Sequence, residues 1–184
     1  MVVGVLGAGT MGAGIAQLGC QAGVETRLFD PDAVALQRAQ ASIAKRTPTD
    51  PLRLISSVQE LAGCDVVIEA IPESLELKHE VLSAVAAAVG PACVLATNTS
   101  SIPVTHIAGG VPAPERVVGM HFFNPAPLMR LVEVIPGVDT SEDSVGRATA
   151  LGEAMGKRVI RAADGPGFLV NRCGRPFYTE ALRL

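Results

Sequence analysis

Six residues near the start of the chain, Gly7-Ala8-Gly9-Thr10-Met11-Gly12, narrow its possible folds more than any other feature. They separate an apolar run at 2–6, which reads as a strand, from a run at 10–22 that reads as a helix closed by Gly23. Gly7 permits the tight turn, Gly9 keeps the backbone bare, and Gly12 lets helix and strand pack closely. The same beat continues with a strand at 24–29 and a helix at 31–46, with proline at a permitted early position. A short strand near 52–55, a strand at 65–70, a helix at 75–89 ended by Gly90 and a strand at 92–96 follow. Such alternation implies right-handed crossovers and a parallel sheet. The chain is 48% hydrophobic but only 3% aromatic, so its core must be aliphatic, with strands buried on both faces. After Ser101 the rhythm changes. Two strands, 116–123 and 131–135, follow each other across a proline-marked turn, then a helix at 141–155 and a strand near 158–161. The expected class is α/β: a Rossmann-like, doubly wound, mostly parallel sheet over 1–164, followed at 165–184 by the start of a helical C-terminal domain.

Other classes are disfavoured. The formal net charge is −3 and no basic stripe is present, which argues against a nucleic-acid partner. Cys20, Cys64, Cys93 and Cys173 are scattered, form no C-x-x-C pair and do not cluster with histidine, so they are expected to be buried, reduced thiols with no metal. The first apolar run is broken by glycines and has no basic leader, and no stretch is long enough to span a bilayer. A cytoplasmic protein with no membrane partner is expected.

The glycine turn lies where a dinucleotide pyrophosphate would meet the free N–H groups and positive end of a helix. Asp30 follows at the end of the second strand, 18 positions beyond Gly12. A carboxylate there accepts hydrogen bonds from a ribose 2′-hydroxyl and repels a 2′-phosphate, so NAD is the expected cofactor. Arg27 is expected to point elsewhere. Further along, Gly119-Met120-His121-Phe122-Phe123-Asn124-Pro125 and Leu131-Val132-Glu133-Val134 place one histidine and one carboxylate in apolar, strand-like surroundings. If the strands are neighbours, the two side chains meet. A carboxylate is costly to bury unpaired, and an imidazole held by one is suited to general base work.

With those residues in view, the chain resembles the 3-hydroxyacyl-CoA dehydrogenase family over nearly its whole length. The glycine turn, Val67-Ile68-Glu69-Ala70-Ile71-Pro72-Glu73-Ser74-Leu75-Glu76-Leu77-Lys78, Asn98-Thr99-Ser100-Ser101-Ile102, the histidine and glutamate segments, and Pro166-Gly167-Phe168-Leu169-Val170-Asn171-Arg172 carry the resemblance. It implies an NAD-dependent oxidoreductase interconverting 3-hydroxyacyl and 3-oxoacyl thioesters, with His121 as base and Glu133 holding it. It further implies Ser100 and Asn171 at the reaction centre and Asn124 beside the nicotinamide. Glu73, Lys78 and Ser100 would be near the cofactor, Asp30 on the adenosine ribose, and Gly7, Gly9, Thr10, Met11 and Gly12 around the pyrophosphate.

Each residue also has a plainer reading. Glu133 could be an edge-strand charge, Ser100 a helix cap, Asn171 an unliganded helix-start residue and Lys78 a solvated one. His79 and His106 show no partner signal and read as surface residues. Two departures from the family stand out. The interval from Asp30 to Leu52 lacks the longer, Lys-rich helical hairpin that helps hold CoA, and Lys45 is its only lysine. A carrier-protein-bound acyl group is therefore an alternative partner. The family also continues into an all-helical domain that forms a homodimer, whereas this chain stops inside the first such helix. A non-catalytic dinucleotide-binding module is the alternative of a different class.

Overall fold

A computed structural model describes residues 1–183; Leu184, the last residue of the expected C-terminal helix, lies outside the described residues. Eight strands form one sheet: β1 Val2–Leu6, β2 Glu25–Phe29, β3 Leu52–Ile55, β4 Val66–Glu69, β5 Val94–Thr97, β6 Val117–Phe122, β7 Leu131–Pro136 and β8 Arg158–Arg161. Their order is β3-β2-β1-β4-β5-β6-β7-β8. Every neighbouring pair is parallel except β6 and β7, which are antiparallel. The short proline-marked turn accounts for that exception, because only antiparallel strands can be joined without a crossover. Chain order reverses between β1 and β4, and the crevice beyond the carboxyl ends of those strands is where open α/β sheets bind ligands.

The helices are α1 Thr10–Gln21, α2 Ala33–Ala44, α3 Leu75–Ala88, α4 Val104–Ala108, α5 Glu142–Ala154 and α6 Val170–Ala181. Alternate strand residues face opposite layers. Val66 and Ile68 of β4, with Val118 and Met120 of β6, pack with α1, α2 and α5, whereas Val67 of β4 and Val117 of β6 pack with α3 and α4. This doubly wound arrangement is the expected one.

Several local details differ from the sequence reading. α2 begins later than expected because Asp32 is its cap, its Oδ1 accepting from the Val34 N–H at 2.8 Å. The segment after Ser101 holds a true short helix, α4, and its cap is neither Ser100 nor any local hydroxyl. Asp164, 60 residues away, accepts from the Val104 and Thr105 N–H groups at 2.8 Å each. Cys20, Cys64 and Cys93 are buried, and burial pushes the Cys64 thiol up to about 11 and the Cys93 thiol up to about 12. Cys173 is exposed, contrary to expectation, because it lies on α6, which has no buried residue. His79 is not a plain surface residue either. It is half-buried against Gly110, and its Nε2 lies 2.9 Å from the His106 carbonyl. Among the described residues no helix is long and apolar enough to cross a membrane.

Candidate active site

The glycine turn is shaped by contacts that a side chain would destroy. Gly7 has φ +95, and a Cβ there would stand 2.6 Å from the Ala70 carbonyl oxygen. At Gly12 a Cβ would meet the Gly7 carbonyl at 1.8 Å. At Gly9 it would meet nothing within 4 Å, so the turn is open outward. α1 starts from Gly9 with no side-chain cap and no acid in its first turn. By contrast α3 and α5 carry their own serine caps and first-turn acids. The protein's own groups therefore leave the positive end of α1 unfilled, which suits a diphosphate.

Asp30 stands at the end of β2, its Oδ2 accepting from the Ala8 N–H at 2.7 Å and its Oδ1 from the Asp32 N–H at 2.8 Å. These two bonds fix the carboxylate and leave lone pairs for a diol. Arg27 is turned away, as expected, and donates to the Glu60 and Ala62 carbonyls and to Glu25.

Beside the crevice lies a polar cluster that the sequence reading only partly found. Lys78 reaches from α3 to Glu69 at the end of β4, with Nζ 2.7 and 2.9 Å from its two oxygens. Lys78 is 1% exposed and Glu69 0%, so the solvated reading of Lys78 is wrong. Glu69 also accepts from the Thr97 hydroxyl at 2.7 Å and the Ile71 N–H at 2.9 Å. The Lys78 ammonium lies 3.1 Å from Glu73 as well. Glu73 accepts from the Thr99 hydroxyl, the Ser101 hydroxyl at 2.9 Å and the Ser100 N–H at 3.3 Å. Burial pushes the Glu73 carboxyl up, but bonds from Thr99, Lys78 and Ser101 outweigh it and hold the group below its usual value. Lys78 thus backs Glu73 and does not itself line the cleft.

His121 and Glu133 are direct cross-strand partners in the β6–β7 ladder. Nδ1 of His121 lies 2.6 Å from Oε2 of Glu133, and the carboxylate is 0% exposed. The edge-strand reading of Glu133 fails because β8 continues the sheet beyond it, pairing Ile160 with Glu133. Its other oxygen accepts from the Leu169 and Val170 N–H groups, at 3.0 and 2.8 Å, at the start of α6. The imidazole lies between Phe123 and Phe168, with ring centroids 4.4 and 5.7 Å away. When Nδ1 donates to Glu133, Nε2 is left as the acceptor.

A cavity of about 450 Å³ is lined by Met11, Glu73, Ser100, His121, Asn124 and Asn171, among others. Thr10 lies apart from this group, on a smaller neighbouring cavity that shares Asn124. Asn98 accepts from the Phe122 N–H at 2.9 Å and fixes the end of β6 beside the cleft.

Residues 2–165 match the family model described as "3-hydroxyacyl-CoA dehydrogenase, NAD binding domain". The chain belongs to the 3-hydroxyacyl-CoA dehydrogenase family. Within that family it is 43% identical to the 3-hydroxyadipyl-CoA dehydrogenase of Escherichia coli, over 98% of this chain and 42% of that protein. It is 41% identical to a probable 3-hydroxybutyryl-CoA dehydrogenase of Bacillus subtilis, over 97% of this chain and 68% of that protein. The crystal structure of (S)-3-hydroxybutyryl-CoA dehydrogenase from Ralstonia eutropha superposes with a TM-score of 0.92 at 37% identity, covering 98% of this chain and 69% of that one. This family member therefore spans less than half of the first relative and somewhat over two thirds of the other two. Its matched segment is the family's NAD-binding domain, and the open glycine turn with Asp30 beside it fits that cofactor.

Proposed function

We propose that this chain carries the base and cofactor half of an NAD-dependent oxidoreductase interconverting 3-hydroxyacyl and 3-oxoacyl thioesters. One observation carries the reading: a buried imidazole, 2.6 Å from a fully buried carboxylate, opens onto the cleft at the sheet's switch point. The nicotinamide, when bound, supplies the hydride acceptor. His121 takes the hydroxyl proton of the substrate at Nε2. Glu133 keeps the ring oriented through Nδ1 and stabilises the imidazolium that forms. Ser100 and Asn171 hold the reacting oxygen in line with His121. Asn124, which lines the same cavity, would hold the nicotinamide, and Glu73 fixes the loop that carries Ser100. Phe123 and Phe168 keep water from the imidazole. In the reverse direction His121 returns the proton to a ketone.

In this reading residues 1–164 form the cofactor unit and residues 165–184 open a helical unit through which the protein would form a homodimer. The thioester is a CoA derivative, as the names of the relatives suggest; equal or faster turnover of the matching carrier-protein thioester would move the assignment to a carrier. The test is a panel of 3-hydroxyacyl thioesters followed by NADH absorbance. His121→Ala is expected to lose about 10²–10⁴-fold in turnover while still binding NADH. Retained turnover in that variant would remove His121 from its role. Tight NADH binding with no oxidation of any 3-hydroxyacyl thioester would make the chain a non-catalytic binding module.

A further inference from the structure

α6 brings a second charged group to the reaction cleft. Asn171 and Arg175 are one turn apart on the helix, so they share a face, and both line the cavity that holds His121. Arg175 also lines an adjoining cavity of about 500 Å³, together with Arg172, Thr179 and Arg183. Neither Arg172 nor Arg175 has a carboxylate within ion-pair distance among the described residues, which leaves the Arg175 guanidinium free to meet a ligand in the cleft. The acids nearby are already engaged. Glu73 accepts from Thr99 and Ser101 and faces Lys78, and Glu180 lies 3.4 Å from Arg183.

We infer that Arg175 makes the cleft selective for 3-hydroxyacyl thioesters whose acyl chain ends in a carboxylate. The inference rests on the His121 reading, which fixes where the 3-hydroxyl must lie. From that carbon the thioester runs one way and the rest of the acyl chain the other. An alkyl tail reaching Arg175 would strip water from a guanidinium and give it nothing in return. A terminal carboxylate offers two oxygens to the guanidinium fork, a charge-assisted and geometrically specific match. Beyond Arg175 the lining adds Arg172 and Thr179, with Arg183 already paired to Glu180, between Pro166 and Pro176, so Arg172 and Arg175 are the cations left there for an anion.

The test compares 3-hydroxyadipyl-CoA with 3-hydroxybutyryl-CoA on the full chain with NAD. The wild-type protein is expected to favour the dicarboxylic thioester in kcat/KM, chiefly through a lower KM. Arg175→Leu is expected to reduce the ratio of the two specificity constants by about 10- to 100-fold, as loss of one charge-assisted contact implies, and Arg175→Lys is expected to restore part of it. An unchanged ratio in Arg175→Leu overturns the inference. So does an equal loss on both substrates, which would assign Arg175 to the phosphates of CoA or to the stability of α6. If wild-type protein oxidises neither thioester, the base assignment has failed. Calorimetric titration of both thioesters into the NADH complex then decides the inference separately. A preference for the dicarboxylic ligand that Arg175→Leu abolishes supports it, and equal affinities overturn it.

Discussion

At the scale of single residues, the groups around the cleft are held by partners that take no part in proton transfer. Lys78 and Glu69 are the clearest case. Both are fully desolvated; removal of Lys78 leaves Glu69 without a cation, and removal of Glu69 leaves the ammonium only Glu73. Loss of one partner of a buried ion pair costs about 3–5 kcal/mol, whereas replacing both by neutral groups of similar volume is often nearly neutral. Glu69→Gln is therefore expected to destabilise the fold by about 3 kcal/mol, at the low end because Glu73 remains 3.1 Å from the ammonium. Adding Lys78→Met should recover more than half of that loss. Urea unfolding midpoints at unchanged slope measure both effects, and a single variant within about 0.5 kcal/mol of wild type would show that the pair is not the anchor of this wall. Glu73 responds to the same pair. Its carboxyl is held below the usual value, so its contribution to stability is complete above the ordinary carboxylate range and is lost as pH falls through its native value.

At the scale of elements, Glu133 does two jobs with two oxygens. One oxygen faces His121 and the other takes the first amides of α6. α6 has no buried residue, and a helix of 12 residues is marginal in water by itself. Its attachment to the sheet therefore depends on the turn at 165–169 and on that carboxylate. Glu133→Gln is expected to speed amide hydrogen exchange across 170–181 well before it affects β6 or β7. Unchanged exchange on α6 would show that the carboxylate serves the imidazole alone. This coupling was only half legible in the sequence. The order of strands and helices could be read because glycines and prolines punctuate apolar runs. His121 and Glu133 could be paired because their strands are consecutive and joined by a short turn. The caps that cross the molecule could not be read, since Asp164 lies 60 residues from the α4 amide it receives. Glu69 escaped notice as a partner for the same reason that Lys78 looked solvated: nine positions separate them, and only the turn from β4 into α3 brings them together.

At the scale of the whole molecule, the site divides between two supports. The cofactor side is made by the carboxyl ends of β1, β2 and β4, strands inside the sheet, and by the start of α1 beside them. The other side of the cavity, the substrate side in the proposed reading, takes Asn171 and Arg175 from α6, which has no buried residue. Cofactor binding should therefore survive changes that loosen α6, and substrate binding should not. NADH at about 100 times its dissociation constant is expected to stabilise the fold by about 2.7 kcal/mol. For a domain of this size, that corresponds to a rise in Tm of about 5–10 °C. If Asp30 takes the ribose diol as proposed, NADPH is expected to give a much smaller rise, because this fixed carboxylate would repel a 2′-phosphate, and Asp30→Ala should narrow the gap between the two cofactors. In Glu133→Gln the NADH shift should persist at nearly its wild-type size, while the additional shift from a 3-hydroxyacyl thioester disappears. If both shifts vanish together, the sheet and α6 form one cooperative unit, and the separation of cofactor and substrate supports is wrong.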